Sequence, residues 1–385
     1  MPKFALSGAV RSIEPSPTFE IEAKVKEMQK NGAKVFNLNL GEPDFFTSDN
    51  VKSAALIAIV ENKTRYTQVK GMPKLLEAVC EKFKSDNGLV YTPKEVIVSN
   101  GAKQILYLAI RTVCEVGDEV IVLAPYWVSY PEITKLAGGK PVIVKTDDFR
   151  FSAEAIRKAI TRKTKAIVIN SPNNPTSIVW TKDELEELGK LVMKYRILVI
   201  SDEIYERFLF DGAKHFSFAA MAPKLKNYTI TVNGVSKTYA MTGFRVGYAG
   251  GPAYIIEKMA DLQSHVSSSI CSISQEAAVE ALSGGKELVN KMVREFDERR
   301  KLVCDDLRNL GVEFIKPEGA YYVFFKVEPH FDSMHFCEIL LQDFKVALNP
   351  GESFGTPGWV RLSYTVNRDD LKEAMYRIGM MFRRG

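Results

Sequence analysis

Six short β-branched runs recur between about residues 50 and 250 of the 385-residue chain, each set apart from the next by a helical pattern. They are EVIVSN ending at Asn100, EVIVLAP at Pro125, PVIVKT at Thr146, KAIVINSP at Pro172, ILVISDE at Glu203 and YTITVNG at Gly234. Runs this apolar, alternating with helices, predict buried parallel strands in a sheet covered on both faces, so the fold class is α/β. After about residue 285 the pattern changes. A long charged helix, KELVNKMVREFDERRKLVCDDLRNLG, precedes GVEFIK, GAYYVFFKV, a helix near His335 to Phe344, KVALNPG, WVRLSYTV and a final helix, which reads as a smaller α+β domain. The first 40 residues, amphipathic EIEAKVKEMQKNG and then VFNLNLGEPDF, are expected to pack on that second domain or bridge the cleft. The expected organisation is an N-terminal segment 1–44, a large domain 45–285 and a small domain 286–385.

Composition and spacing exclude several functions. Lys and Arg exceed Asp and Glu by 52 to 47, a net charge of +5, with no block of five or six like charges, which argues against a nucleic-acid or membrane surface. The five cysteines, Cys80, Cys114, Cys271, Cys304 and Cys337, never form CxxC, so neither a disulfide framework nor a zinc site is expected. Four histidines without HxxxH or HExxH spacing speak against a metallohydrolase, and no metal site is expected. No GxxxxGK[ST] or GxGxxG occurs. With neither a signal-peptide pattern at the N-terminus nor an 18-residue apolar run, the expected location is cytoplasmic.

In open α/β sheets ligands bind beyond the carboxyl ends of the strands, and the unusual residues cluster there. VNGVSKTYAMTGFRVGY puts Lys237 just after a strand, with Arg245 eight residues on. A nucleophilic lysine must be partly desolvated, because an ordinary amine is protonated at neutral pH; most lysines are instead solvated loop residues. SDEIY places Asp202 at a strand end, as a helix N-cap or as a carboxylate able to hold a protonated pyridine nitrogen. NSPNNPT, residues Asn170 to Thr176, is a turn in its own right. SNGAKQ, residues Ser99 to Gln104, reads as a helix cap or as a phosphate cradle.

Taken in this order, the motifs resemble the pyridoxal-phosphate (PLP) aminotransferases of fold type I, in the class I/II family and nearest its bacterial and archaeal aspartate aminotransferase group. The resemblance runs from about Pro15 to the last helix. It implies a large domain with a mostly parallel seven-stranded sheet between helices, a smaller α+β domain, a PLP cofactor, amino acid and 2-oxo acid substrates, and a homodimer. By that resemblance Lys237 is the Schiff-base lysine and moves the proton between substrate Cα and cofactor C4′. Asp202 pairs with the pyridinium nitrogen, which makes the ring a better electron sink. Tyr205 and Asn174 hydrogen-bond its phenolic oxygen. Trp127, in APYWVSY, stacks on the ring. Gly101, Ala102, Lys103, Ser236 and Arg245 hold the phosphate, and Tyr66, in RYTQVKG, reaches the partner subunit's phosphate.

For the substrate, the resemblance implies that Arg361 in VRLSY clamps the α-carboxylate with Asn174 and the amide of Gly41. Ser16, Thr18 and Lys103 are expected to take a distal carboxylate, which favours L-aspartate with 2-oxoglutarate as acceptor, in ping-pong order. Trp127 also borders the substrate. Three positions depart from the group's pattern: Glu14 where prephenate-using relatives carry a basic residue, Ser177 where most have glycine, and Gly234 where a serine often contacts phosphate. The competing expectations are a broader aminotransferase acting on aromatic amino acids, alanine or prephenate, and a PLP-dependent β-lyase. A PLP-binding regulator would need an appended DNA-binding module or a lost lysine, and neither is seen.

Overall fold

The computed structural model describes residues 4–146, 148–327 and 332–383, so the first three and last two residues of the expected outer segments lie outside the described residues. Thirteen strands follow in chain order among them. β1 is Phe36–Asn37, β2 Val96–Asn100, β3 Glu119–Ala124, β4 Lys140–Lys145, β5 Thr164–Asn170, β6 Leu198–Asp202 and β7 Thr229–Gly234. β8 is Val246–Gly250, β9 Phe314–Ile315, β10 Tyr322–Lys326, β11 Val346–Ala347, β12 Asn349–Pro350 and β13 Trp359–Ser363.

The six apolar runs become β2 to β7, and β8 joins them in a seven-stranded sheet of order β2-β8-β7-β6-β5-β3-β4. Pairings among β3 to β7 are parallel, whereas β8 runs antiparallel to both β2 and β7. The run VGYAG carries two glycines and follows β7 after residues 235–245 alone. A parallel crossover needs about a dozen residues or more, so so short a link returns the chain antiparallel.

Alternate residues sort to opposite faces, as the pleat requires. Val120, Val122, Val168 and Ile200 pack under the helices Ala102–Val113 and Ala253–Val266, while Ile121, Ile167, Ile169 and Val199 pack against helix Lys182–Tyr195. Burying each such side chain contributes about 1.5–3 kcal/mol, and this holds the layers together. β4 departs from the expected burial: it is the sheet's edge, and Ile143 is 37% exposed.

The second core forms around the antiparallel sheet β12-β13-β10-β9. Helix Glu287–Asn309 buries Met292, Phe296, Val303 and Leu307, four or seven residues apart and so on one face, on that core. Helices Ser333–Phe344 and Arg368–Phe382 complete it. The N-terminal helix Pro17–Lys30 packs Val25 against Leu341 and Ala347, and β1 pairs in parallel with β11. Leu38 then receives the Ser363 amide at 2.9 Å, and the chain continues as Leu40–Glu42 into the cleft.

β8 brings its backbone against the turn that opens helix Ala102–Val113. A Cβ on Gly247 would lie 2.2 Å from the Ala102 amide nitrogen and 2.3 Å from the Gly101 carbonyl carbon. Gly247→Ala is therefore expected to reduce stability in urea denaturation by about 3 kcal/mol, the upper range for overpacking, because only backbone is available to give way.

Candidate active site

At the carboxyl ends of β2, β3, β5, β6 and β7 the structure opens a cavity of about 470 Å³. Its wall includes Ser16, Thr18, Gly41, Ala102, Lys103, Trp127, Asn174, Asp202, Tyr205, Ser236, Lys237, Arg245 and Arg361, so thirteen sequence-predicted residues converge there from distant parts of the chain. Gly101 lies directly behind: a Cβ on it would meet Arg245 Nη2 at 2.4 Å, and its φ of +81° suits glycine. Tyr66 is not brought in; it is 92% exposed and outside this cavity.

The charged lining is Lys103, Lys237, Arg245 and Arg361 against Asp202 and Glu42. Four cations thus face two carboxylates, an arrangement suited to anionic ligands. Arg361, on β13, is buried. Its Nη1 donates to Asn174 Oδ1 at 2.9 Å and its Nη2 to the Asn39 carbonyl at 2.6 Å, while Nε has no partner. The guanidinium lies over the rings of Tyr322 (4.6 Å) and Phe354 (5.0 Å). Burial lowers its pKa, since no carboxylate pairs with it among the described residues.

Lys237 sits in the short helix Val235–Thr238 at the end of β7 and donates to the Gly41 carbonyl at 2.6 Å. Burial brings its pKa down to about 8; the Glu42 carboxylate opposes this and the charges of Arg245 and Arg361 add to it. Asp202, the last residue of β6, accepts from Tyr130 Oη at 2.8 Å and from the Ile204 amide at 3.3 Å. Burial pushes its pKa up to about 6, against the pull of the Tyr130 hydrogen bond. No helix begins after β6 before Phe218, so the helix-cap reading does not hold: the Ile204 contact closes a local turn, and the carboxylate lines the cavity.

Asn174 is held by its amide on Asn170 Oδ1 at 2.8 Å, while Asn170 Nδ2 donates to the Asp202 carbonyl at 2.9 Å. The Tyr205 hydroxyl pairs with that of Tyr322 at 2.7 Å. Lys103 Nζ lies 4.9 Å from the Trp127 ring and 5.8 Å from the Phe19 ring. Burial and then the charge of Arg245 lower its pKa. Ser16 occupies the N-cap of helix Pro17–Lys30, yet its hydroxyl makes no capping bond. Thr18 Oγ1 donates to Asn349 Oδ1 at 3.3 Å.

Sequence reasoning misses Tyr130, Tyr322, Asn170 and Glu42. Tyr130 and Tyr322 look like core aromatics in YWVSYP and GAYYVFF, and only the fold aims their hydroxyls at Asp202 and Tyr205. It also misses a buried cluster outside the cavity: Glu203, Glu206 and His215, with ligating atoms within 4.8 Å of one another. Lys82 ion-pairs with Glu206 there, and Asn87 donates to Glu206 at 2.7 Å, so the acids already have cationic and hydrogen-bonding partners.

Residues 33–378 match the family Aminotransferase class I and II. The aspartate aminotransferase of Bacillus sp. (strain YM-2) is 43% identical over 386 residues, covering 98% of each chain. The probable aspartate/prephenate aminotransferase of Rickettsia felis (strain ATCC VR-1525 / URRWXCal2) is 43% identical over 389 residues, covering 97% of this chain and 95% of that one. Among solved structures, the aspartate aminotransferase from Thermus thermophilus with maleate superposes with a TM-score of 0.95 at 41% identity, covering 98% of this chain and 100% of that one. The chain belongs to the class I and II aminotransferases.

Enzymes of this family depend on PLP and act on amino acids and 2-oxo acids. In this aminotransferase the Lys237 shift gives a titration test. Below about pH 8 the folded, cofactor-free chain carries the ammonium at a desolvation cost. Between about 8 and the ordinary 10.5 the unfolded chain binds more protons, so stability rises with pH through that window. Lys237→Met is expected to lack this part of the slope when denaturant midpoints are compared across the window. Reaction of Lys237 with an amine reagent is expected to follow a midpoint near 8, and Glu42→Gln to move it lower.

Proposed function

We propose that this aminotransferase is a PLP-dependent homodimer that transfers the amino group of L-aspartate to 2-oxoglutarate. The observation that carries the reading is the excess of cations in one cavity, above all Arg361, buried with one nitrogen unpartnered. A charge so placed is costly unless a ligand carboxylate meets it.

The residues present fit PLP. A phosphate suits the amides of Ala102 and Lys103 at the start of helix Ala102–Val113, with Ser236 and Arg245 beside them. The bare Cα of Gly101 lets Arg245 approach that turn. Gly234 lacks the hydroxyl that relatives offer, and a Cβ there would lie 3.0 Å from the Val246 carbonyl, so Ser236 is the donor this segment provides.

Bound PLP supplies an electron sink for charge developing at the substrate's Cα. Asp202, fixed by Tyr130, holds the proton on the ring nitrogen, and Tyr205 with Asn174 donates to the phenolic oxygen. Lys237, with its lowered pKa, has a neutral amine available near neutral pH and moves the proton at Cα. Trp127 covers the ring and excludes water.

Arg361 binds the α-carboxylate through its fork, with Asn174 and the Gly41 amide assisting. Lys103, with no carboxylate partner among the described residues, takes the distal carboxylate together with the uncommitted Ser16 hydroxyl and Thr18. The maleate bound by the Thermus thermophilus relative is likewise a dicarboxylate. Glu14, where prephenate-using relatives are basic, lies outside the cavity wall, with its amide on Glu132. A carboxylate there favours aspartate over prephenate.

Helix Asp49–Val60 exposes Leu56, Ile57, Ile59 and Val60, and Phe46 and Tyr66 are exposed nearby in sequence. This apolar surface supports the dimer, with Tyr66 reaching the partner's phosphate. Five unpaired thiols support a reducing, cytoplasmic location, and no helix among the described residues is long and apolar enough to cross a membrane.

The test is absorbance of the purified holoenzyme during titration with amino acids. L-Aspartate and L-glutamate are expected to convert the cofactor to its amine form, and L-phenylalanine and L-alanine to do so poorly. Lys237→Ala should keep PLP but lose turnover, Arg361→Ala should raise KM for every amino acid, and Lys103→Ala should penalise dicarboxylates most. Equal conversion by phenylalanine or alanine overturns the dicarboxylate assignment; release of pyruvate and ammonia points to a lyase. Sedimentation should give twice the 43.2 kDa chain mass.

A further inference from the structure

Ser177 follows the turn that carries Asn174, and its φ of +60° places it in the left-handed region where a side chain other than glycine is disfavoured. It is fully buried, and its hydroxyl is committed on both sides. Ser177 Oγ donates to the Tyr322 carbonyl at 2.9 Å and accepts from the Tyr322 amide at 3.3 Å. Its own carbonyl accepts from the amides of Glu318 (3.0 Å) and Gly319 (2.9 Å). A residue on the large sheet's side of the cleft therefore grips the segment that enters β10. β9 pairs with β10 only at Phe324 and Phe325, so at Tyr322 the Ser177 hydroxyl meets the strand's backbone instead.

Three parts of the site converge on the Tyr322 side chain. Its hydroxyl pairs with Tyr205, its ring lies under the Arg361 guanidinium, and a Cβ on Gly41 would sit 2.0 Å from its hydroxyl oxygen. A shift of the Tyr322 backbone would thus displace the floor of the α-carboxylate site and the hydroxyl beside Tyr205. We infer that Ser177 is a positioning residue of this enzyme: its hydroxyl locks the Tyr322 backbone, and so sets the carboxylate grip of Arg361 and the donor strength of Tyr205. Glycine would relieve the backbone strain at this position and lose the lock.

The inference rests on the aspartate aminotransferase reading, and the test separates the two. Ser177→Gly, Ser177→Ala, Tyr322→Phe and the double variant Ser177→Gly/Tyr322→Phe are compared as holoenzymes. Ser177→Gly is expected to raise KM for aspartate about three- to tenfold, the ratio that a hydrogen bond of ordinary net strength controls, with kcat little changed. If Tyr205 donates its hydrogen to the cofactor, Tyr322 must donate to Tyr205, which strengthens it. Loosening Tyr322 is therefore expected to move the pH midpoint of the cofactor's absorbance upward.

That spectral shift should vanish in the Tyr322→Phe background, where the hydroxyl pair is absent, while the KM effect persists because the ring remains. Ser177→Ala lacks the hydroxyl but keeps the strained Cβ, so it should match Ser177→Gly in KM and spectral midpoint and fall below it in melting temperature. Unchanged KM and midpoint in Ser177→Gly, or a change in melting temperature alone, overturns the inference. An unaltered enzyme that ignores aspartate overturns the substrate reading instead; Ser177 is then judged with whichever amino acid converts the cofactor, by the same KM and midpoint criteria.

Discussion

Positive charge that the protein does not neutralise for itself organises this molecule around its cleft. Arg361 is buried on β13 against two rings, an asparagine side chain and a backbone carbonyl, and Lys103 lies between two aromatic rings. Removing the Arg361 charge from water without a counter-ion costs several kcal/mol even after relaxation, so the surrounding fold must hold that group in place until an anion arrives. Each core contributes. The large sheet supplies Asp202, Asn174 and Lys237 at its strand ends, the small sheet supplies Arg361, and the N-terminal segment closes the wall with Ser16, Thr18 and Gly41. Neither core alone contains the site.

The buried cluster beyond Asp202 shows the opposite electrostatics. Glu203 accepts from Ser201 (2.8 Å) and Ser217 and contacts His215 at 3.0 Å, and Glu206 is paired with Lys82. Its charges and hydrogen-bonding groups are largely matched within the protein, as a structural network requires. Both clusters are rich in titratable groups, and composition alone would not separate them. What separates them is where the counter-charge lies: Lys82 meets Glu206 inside the cluster, whereas no carboxylate pairs with Arg361 or Lys103 among the described residues.

The strong periodic signals were legible because burial imposes them. Six β-branched runs became six strands, and the residues after them formed the cavity wall, since a doubly covered sheet leaves its carboxyl ends free for ligands. β8 escaped because VGYAG, with glycine at positions 247 and 250, lacks the branched residues that mark a strand; those glycines answer to close neighbours, the Ala102 turn and the Tyr91 ring. β4 carried the right pattern but lies at an edge, a property of strand order that no single run encodes. Tyr130 and Tyr322 were invisible for a related reason. Their burial follows from apolar surroundings, whereas the direction of each hydroxyl depends on partners 72 and 117 residues away in sequence.

Lys103 bears most directly on substrate choice, because two different ligands could occupy its surroundings. The rings of Trp127 and Phe19 offer an aromatic side chain apolar contact, while the ammonium between them offers a carboxylate an ion pair. Cation–π contact compensates the ammonium only in part, at about 0.5–2 kcal/mol. A substrate that covers Lys103 with an apolar group removes its remaining water and supplies no charge, whereas a distal carboxylate satisfies it at the step that excludes water. The same asymmetry applies to Ser16, whose hydroxyl is not used as a helix cap. Discrimination therefore comes chiefly from what an apolar substrate would leave unpaired, and strengthens as the cleft becomes drier.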